Sequence, residues 1–438
     1  MIFKKIIGTA GTRIFNAAVN LIVLLMITNF IGSKGLGEIS LIIVNLTIIQ
    51  LFVDWMAGSA LVYFASRANL SRLLIPAYLW SLIILAFFVG IGTFIHFLFP
   101  QIFMLLIPKG FEIELLVLAL LNAFMQTHYN LLIGQKKIKQ YNIIFSVQIS
   151  SLLVFFTLFL FGLSDLNARA YINALILSWG IGGGLGFYQI LRSNPTLSLQ
   201  GWHKLVRPIF LYGLQTQISN VLHLGNKRLS YYVIRIYAGL SPLGIYGAAV
   251  QLAEGLRLIG QSISLVQFSA ISNSREKEYA RVLTLKLMKF SMSLTFLALV
   301  FLLVIPQRLY QIVFSAAFGD IKTILVALSV GILALAANTI FSHYFSGIGQ
   351  PKINVYANTI GFLFTLVLLF LLIPKWGAVG AALAASVSYS ATVTYQAVIF
   401  KNQTQTRWNE WMIHSNDVAE LTGFIKEIFQ KTKKVETH

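Results

Sequence analysis

No cysteine occurs anywhere in the 438 residues, which excludes a disulfide framework, a thiol nucleophile and a thiolate metal site. Charge is scarce as well. Asp, Glu, Lys and Arg make up 11% of the chain, less than half of what an ordinary soluble domain carries. Acids are the rarer sign, 14 against 33 bases. There is no Walker loop, no nucleophile elbow and no pair of catalytic carboxylates. The histidines His96, His128 and His343 stand apart without ligand spacing, and packing is the reading for each.

Apolar surface is what the chain has in excess: 57% of residues are hydrophobic, with a mean hydropathy of +0.78. These residues fall in runs of about 20 or more, enough to cross ~30 Å of hydrocarbon. Runs such as Leu21–Met26 and Leu363–Leu372 lack the period-two alternation of a barrel. The spans are therefore predicted to be helices, which satisfy their own backbone hydrogen bonds in lipid. Lys4 and Lys5 precede the first span and no small-residue cleavage site follows, so it reads as a retained helix and not a signal peptide.

Twelve spans are predicted: 14–31, 39–65, 74–99, 115–133, 142–162, 171–191, 209–238, 243–271, 284–305, 323–347, 354–374 and 378–400. With the N-terminus placed in the cytoplasm, 23 of the 33 Lys and Arg fall on the cytoplasmic side, six on the other and four inside spans. That asymmetry is a positive-inside signal. It predicts that both termini are cytoplasmic, and it explains the net charge of +19 without nucleic acid.

The two halves repeat. Gly134-Gln135-Lys136-Lys137-Ile138-Lys139-Gln140-Tyr141 returns as Gly349-Gln350-Pro351-Lys352-Ile353-Asn354-Val355-Tyr356, and Gly32-Ser33-Lys34-Gly35-Leu36-Gly37 as Gly239-Leu240-Ser241-Pro242-Leu243-Gly244. Six spans per half make the repeat parallel. The predicted organisation is an N-lobe over 1–191, a cytoplasmic linker over 192–208, a C-lobe over 209–400 and a basic tail over 401–438. In the tail, Val418, Leu421, Ile425 and Ile428 keep helical spacing, and Trp408 and Trp411 suit a membrane interface;. Duplicated halves around a midplane site suit a secondary transporter.

Polar residues within the spans fall into register. Thr9, Thr12, Arg13, Asn16 and Asn20 share one face of the first span, and Gln215, Ser219, His223, Asn226, Lys227 and Ser230 one face of the seventh. The second span carries Thr47, Gln50 and Asp54, the eighth Glu254, Arg257 and Gln261. Such faces are expected to line a water-filled cavity between the halves, although Glu254 and Arg257, three apart, could simply pair with each other. The cations Arg13, Lys227, Arg228, Arg235 and Arg257 outnumber the acids Asp54 and Glu254. An anionic substrate follows, phosphate or diphosphate first, since a guanidinium pairs with phosphate in a planar fork. Arg257, Lys227, Arg228 and Arg13 are the candidate diphosphate ligands. Asn16, Asn20, Gln50, His223, Asn226 and Gln261 are the other polar cavity residues.

Asn226-Lys227-Arg228-Leu229-Ser230-Tyr231-Tyr232, Leu243-Gly244-Ile245-Tyr246, Gln251-Leu252-Ala253-Glu254-Gly255-Leu256 and Gln261-Ser262-Ile263 resemble the polysaccharide transporter family, and Wzx-type O-antigen flippases in particular, within the multidrug/oligosaccharidyl-lipid/polysaccharide (MOP) exporter superfamily. Gly347-Ile348-Gly349-Gln350-Pro351-Lys352 and Ile373-Pro374-Lys375-Trp376-Gly377-Ala378-Val379-Gly380-Ala381-Ala382 extend the likeness over most of residues 1–400. The resemblance implies an all-α membrane protein with a MATE-like fold: twelve transmembrane helices in two pseudo-symmetric six-helix lobes around a central cavity lined by helices 1, 2, 7 and 8. It further implies a non-enzymatic flippase that moves an undecaprenyl-diphosphate-linked oligosaccharide across the bacterial inner membrane, with a polysaccharide polymerase and a chain-length regulator as partners. No cofactor is expected. H+ or Na+ is the coupling ion, with Asp54 and Glu254 as candidate carriers. Relatives often carry an acid where Ser230 stands, so coupling at that position is not expected. The alternatives are a cation-coupled multidrug or metabolite exporter of the same superfamily, and a membrane polymerase or acyltransferase.

Overall fold

The computed structural model describes residues 2–65, 67–193, 201–273 and 276–411. Among them there is no strand. Ten long helices run in order: α1 Ile2–Met26, α2 Gly32–Ala57, α3 Leu70–Leu98, α4 Glu112–Gly134, α5 Ile138–Thr157, α6 Ala168–Ser193, α7 His203–Tyr237, α8 Leu240–Asn273, α9 Lys277–Val304 and α10 Ile321–Gly347. A final helical stretch, Lys352–Thr404, is interrupted at Gly377 (φ 52°, ψ −129°), which gives α11 (352–376) and α12 (378–404). Each predicted span coincides with one of these twelve.

The helices form where expected because lipid leaves the backbone no other way to pair. Eight described segments are long and apolar enough to cross a membrane, Phe15–Phe64 and Lys352–Thr404 each spanning more than one helix. The chain is a multi-pass membrane protein. α7 and α8 fall short of that apolarity among the described residues, as befits the helices that carry polar faces. α1 and α5 both end in a five-residue π-helical turn, Ile27–Ile31 and Leu158–Gly162, and Phe30 meets Phe161 edge-on there. Such turns are rare and concentrate at functional or strained places.

Some boundaries differ from expectation. α7 begins at His203 and carries Pro208 inside it, so part of the expected 192–208 linker is helix. Residues 194–200 and the tail segment 418–428 lie outside the described residues. Trp411 is half-buried. Its ring packs 5.8 Å from Phe341 and 5.9 Å from Phe400, beside a buried cluster that includes Tyr344 and Phe345.

The chain divides into two compact units: Met1–Ala248 with Gln307–Ile321 and Ile373–Ala378, and Ala249–Pro306 with Lys322–Leu372 and Val379–His438. In the first, α6 packs on α4 and α5, α5 on α1, and α2 on α4 and α7. Small residues set the approach. A methyl at Gly182 would lie 2.7 Å from the Tyr129 hydroxyl, and one at Gly186 2.8 Å from His128 Cβ, so α6 seats closely on α4. At Gly213 of α7 it would lie 1.6 Å from the Trp55 carbonyl oxygen of α2.

The internal repeat is written in the backbone. Gly32 and Gly239, equivalent in the two halves, both adopt left-handed φ, +82° and +92°, a conformation that favours glycine. The repeats also touch. A methyl at Gly37 would lie 2.0 Å from Leu240 O, one at Gly244 2.0 Å from Ser33 O, and the Ser33 and Ser241 hydroxyls are 2.6 Å apart. In the other repeated turn the left-handed residue moves, to Lys136 in the first copy and Gly349 in the second.

Candidate functional site

α2 is apolar except for one face. Thr47, Gln50 and Asp54 follow at spacings of three and four, so they stand in one row. The Thr47 hydroxyl donates back to Ile43 O at 2.7 Å. Gln50 works in both directions: its Nε2 donates to Asp54 Oδ1 at 2.7 Å, and its Oε1 accepts from Asn122 Nδ2 of α4 at 3.1 Å. One turn on, Asn130 of α4 donates to Ala57 O at 2.9 Å, which satisfies a carbonyl at the end of α2 where Gly58 breaks the helix.

This row lines a cavity of about 460 Å³ in the first unit, a volume in the usual range for a small-molecule site. α4 contributes Asn122 and Gln126, α6 contributes Trp179, and α7 contributes Gln217, Asn220, His223 and Leu224. Asn220 Nδ2 donates to Gln217 Oε1 at 2.9 Å. Among the described residues the lining holds one carboxylate, one imidazole and no Lys or Arg. Side-chain amides both donate and accept, so the cavity can meet a ligand rich in hydroxyls. Asp54 can take two donors from neighbouring hydroxyls, and Trp179 offers an apolar ring face. Among the described residues no group of His, Asp and Glu could hold a metal ion.

Of the residues singled out in the sequence, the cavity brings together Thr47, Gln50, Asp54 and His223. Asn226 is buried on α7, and Lys227 follows it there outside the lining. Arg228 Nη1 donates to Tyr231 Oη at 3.1 Å with its guanidinium 5.4 Å from that ring, so it too stands off the cavity. Asn16 is 4% exposed and accepts from Ser146 of α5 at 3.4 Å, and its Nδ2 has no partner among the described residues. Asn20 is exposed. The side chain of Arg13 lies outside the described residues. Glu254, Arg257 and Gln261 belong to α8 in the second unit, each half-buried. No ion pair joins Arg257 to Glu254 among the described residues.

Asn122, Gln126, Trp179, Gln217 and Asn220 were not singled out by sequence. A signal was present: Asn122, Gln126 and Asn130 recur every four residues along a span that is otherwise largely apolar. His128 of α4 faces elsewhere. It is buried, bonded to the Tyr78 hydroxyl and, through Nδ1, to Gly183 O at 3.0 Å, which makes it a tie between α3, α4 and α6.

The fold has close counterparts among solved structures. An inward-facing multidrug resistance MATE family transporter of the MOP superfamily superposes with a TM-score of 0.72 over 89% of this chain and 96% of its own, at 15% identity. The lipid II flippase MurJ in an inward closed conformation gives 0.67 over 95% and 92%, at 18% identity. At these identities the likeness is one of fold, and the fold is MATE-like. In sequence, the chain is 24% identical over 242 residues to a probable low-salt glycan biosynthesis flippase, Agl15, of Haloferax volcanii, covering 55% of this chain and 50% of that protein. It is 24% identical over 193 residues to the capsular polysaccharide biosynthesis protein CapF of Staphylococcus aureus, covering 43% and 49%, and 27% identical over 190 residues to an uncharacterised membrane protein of Methanocaldococcus jannaschii, covering 42% and 38%. The chain thus spans half or less of the length of these curated relatives. The family model described as polysaccharide biosynthesis protein matches residues 2–259, from the first helix through the whole polar cavity of the first unit, and the chain belongs to that family.

Proposed function

We propose that the chain is a flippase for a lipid-linked glycan. The observation that carries this reading is the chemistry of the cavity among the described residues: amides from α2, α4 and α7, one carboxylate and one tryptophan. Such a lining suits a sugar. Hydroxyls bond to amides in either sense, and vicinal hydroxyls fork onto Asp54. The apolar C–H face of a pyranose lies on the Trp179 ring. A lipophilic drug would offer no partner to the donors and acceptors these amides have left over. Membership of the polysaccharide biosynthesis family supports the same class of cargo.

In its finer form, the substrate is an oligosaccharide on undecaprenyl diphosphate, moved from the cytoplasmic to the outer leaflet of a bacterial inner membrane by alternating access. Both termini stay in the cytoplasm. Arg257, Lys227, Arg228 and Arg13 act on the diphosphate. Asp54 and Glu254 are the candidates for binding H+ or Na+. The test is reconstitution in proteoliposomes with a fluorescent lipid-linked oligosaccharide. Trp179→Ala and Gln126→Ala are each expected to slow flipping roughly tenfold, about 1.4 kcal/mol of lost binding. Unchanged rates with normally folded protein would remove the cavity from the mechanism.

The second reading is a cation-coupled exporter, and Asp54 in the cavity is what favours it. Efflux of cationic dyes that Asp54→Asn abolishes, with no glycan flipping, would select that reading.

A further inference from the structure

A second cavity, of about 700 Å³, opens at the other end of α2 from the Gly32 turn. Arg67, Asn69, Arg72, His203, Lys204 and Leu205 line it, and among the described residues no acid is in the lining. Its charges sit where helix electrostatics disfavour them. Arg72 stands in the first turn of α3 and Lys204 in the first turn of α7, and neither helix has an acid in that turn. Helix N-termini carry partial positive charge, so a basic side chain there is placed against the macrodipole. Two such ends converge on one basic cavity, an arrangement that an anion stabilises. Local choices that oppose stability in this way mark sites kept for function.

The cavity is also held in shape. Arg67 Nη1 donates to Tyr63 O at 2.7 Å, and its guanidinium lies 3.8 Å from the centre of the Tyr63 ring. That ring stacks on Tyr212 of α7 at 4.6 Å. A pre-positioned planar fork is what paired hydrogen bonds to phosphate require.

We propose that this cavity binds the phosphate of a membrane lipid, with the acyl or prenyl chain running along α3. The geometry of α3 selects a lipid-borne phosphate over a free one. Leu79 and Ile83, 7 and 11 residues beyond Arg72, lie on the same helical face, and they are 43% and 58% exposed. A headgroup at Arg72 therefore has an apolar track directly in line with it. Tyr63, 39% exposed at the rim, is of the residue type that marks the headgroup level of a bilayer. This site is separate from the sugar cavity and does not depend on the reading given to it.

The test uses the purified full-length chain in a nonionic detergent, followed by thermal melting during titration with phosphatidylglycerol, phosphatidylcholine or inorganic pyrophosphate. Phosphatidylglycerol is expected to bind most tightly, and R67Q/R72Q/K204Q to weaken it roughly a hundredfold, three cations at about fivefold each. The triple variant K136Q/K137Q/K139Q removes the same charge from another turn and is expected to keep the affinity. K204Q alone removes a cation from a helix N-terminus, so it should melt no lower than the parent while binding lipid about fivefold less well. Equal binding by parent and R67Q/R72Q/K204Q overturns the proposal, as does equal loss in the control triple variant. Pyrophosphate binding as tightly as phosphatidylglycerol overturns the lipid assignment.

Discussion

Gln50 shows how much one amide can organise. It donates to Asp54 and accepts from Asn122, so it joins two helices and fixes the orientation of a carboxylate. Gln50→Ala removes both bonds and leaves the Asn122 amide without its acceptor. Transmembrane hydrogen bonds contribute about 0.6 kcal/mol on average and up to ~1.7. The expected destabilisation is therefore about 1–2 kcal/mol, read as a lower midpoint in detergent unfolding, with Asp54→Asn costing less because an amide still meets Gln50. At this scale the sequence was only partly legible. Gln50, Asp54 and His223 declared themselves by sharing faces with other polar residues. Asn122, Gln126 and Trp179 did not, because isolated amides and a tryptophan on an apolar span look the same whether they face lipid, protein or a cavity. Only the packing of α4 and α6 distinguishes these cases.

Among elements, the helices other than α7 and α8 were readable because apolar length alone specifies a span;. Their seams were less so. Glycine clusters predicted close packing, yet Gly184 has open space around it while Gly182 and Gly186 do not. The most restrictive seam is at Gly213, where a β-carbon would fall 1.6 Å from the Trp55 carbonyl. Backbone cannot step aside as a flexible side chain does. Gly213→Ala must part α2 from α7, disturbing the cavity both helices line, and overpacking of this kind costs about 1–3 kcal/mol or more. The expected result is a lowered melting temperature together with weakened glycan binding. Gly184→Ala, one helix away and unhindered, should change neither.

Across the whole molecule, charge placement is the organising feature. Expectation put the cations against the substrate cavity; among the described residues the lining of the first unit's cavity is rich in amides, and a dense basic group lines the second cavity. Composition counts cations but does not say which helix end they crowd. The second unit offers a pH-dependent contact. Glu410, in the short helix Trp408–Trp411, accepts from the Arg407 backbone N–H at 2.9 Å and pairs with Arg281 at the start of α9. These partners hold its carboxyl below the ordinary value of 4.5, the backbone bond first and Arg281 second. With the folded value depressed, the contact is fully formed above pH 4.5 and is lost as pH falls through the lower folded value. Trp411 reports it, because its ring packs on Phe341 and Phe400. Tryptophan fluorescence should therefore change on acidification below the ordinary carboxyl value of 4.5;, and Arg281→Gln should move that change upward toward it.

The Ser33–Ser241 contact joins matching turns of the two repeats, hydroxyl to hydroxyl, at 2.6 Å. That spacing brings the two β-carbons near the separation a sulfur bridge spans, in a chain that has no thiol of its own to interfere. Replacing both serines by cysteine would install a reducible latch at this end of α2 and α8. Oxidant and reductant would then decide, in one preparation of the protein, whether those turns must part for cargo to cross.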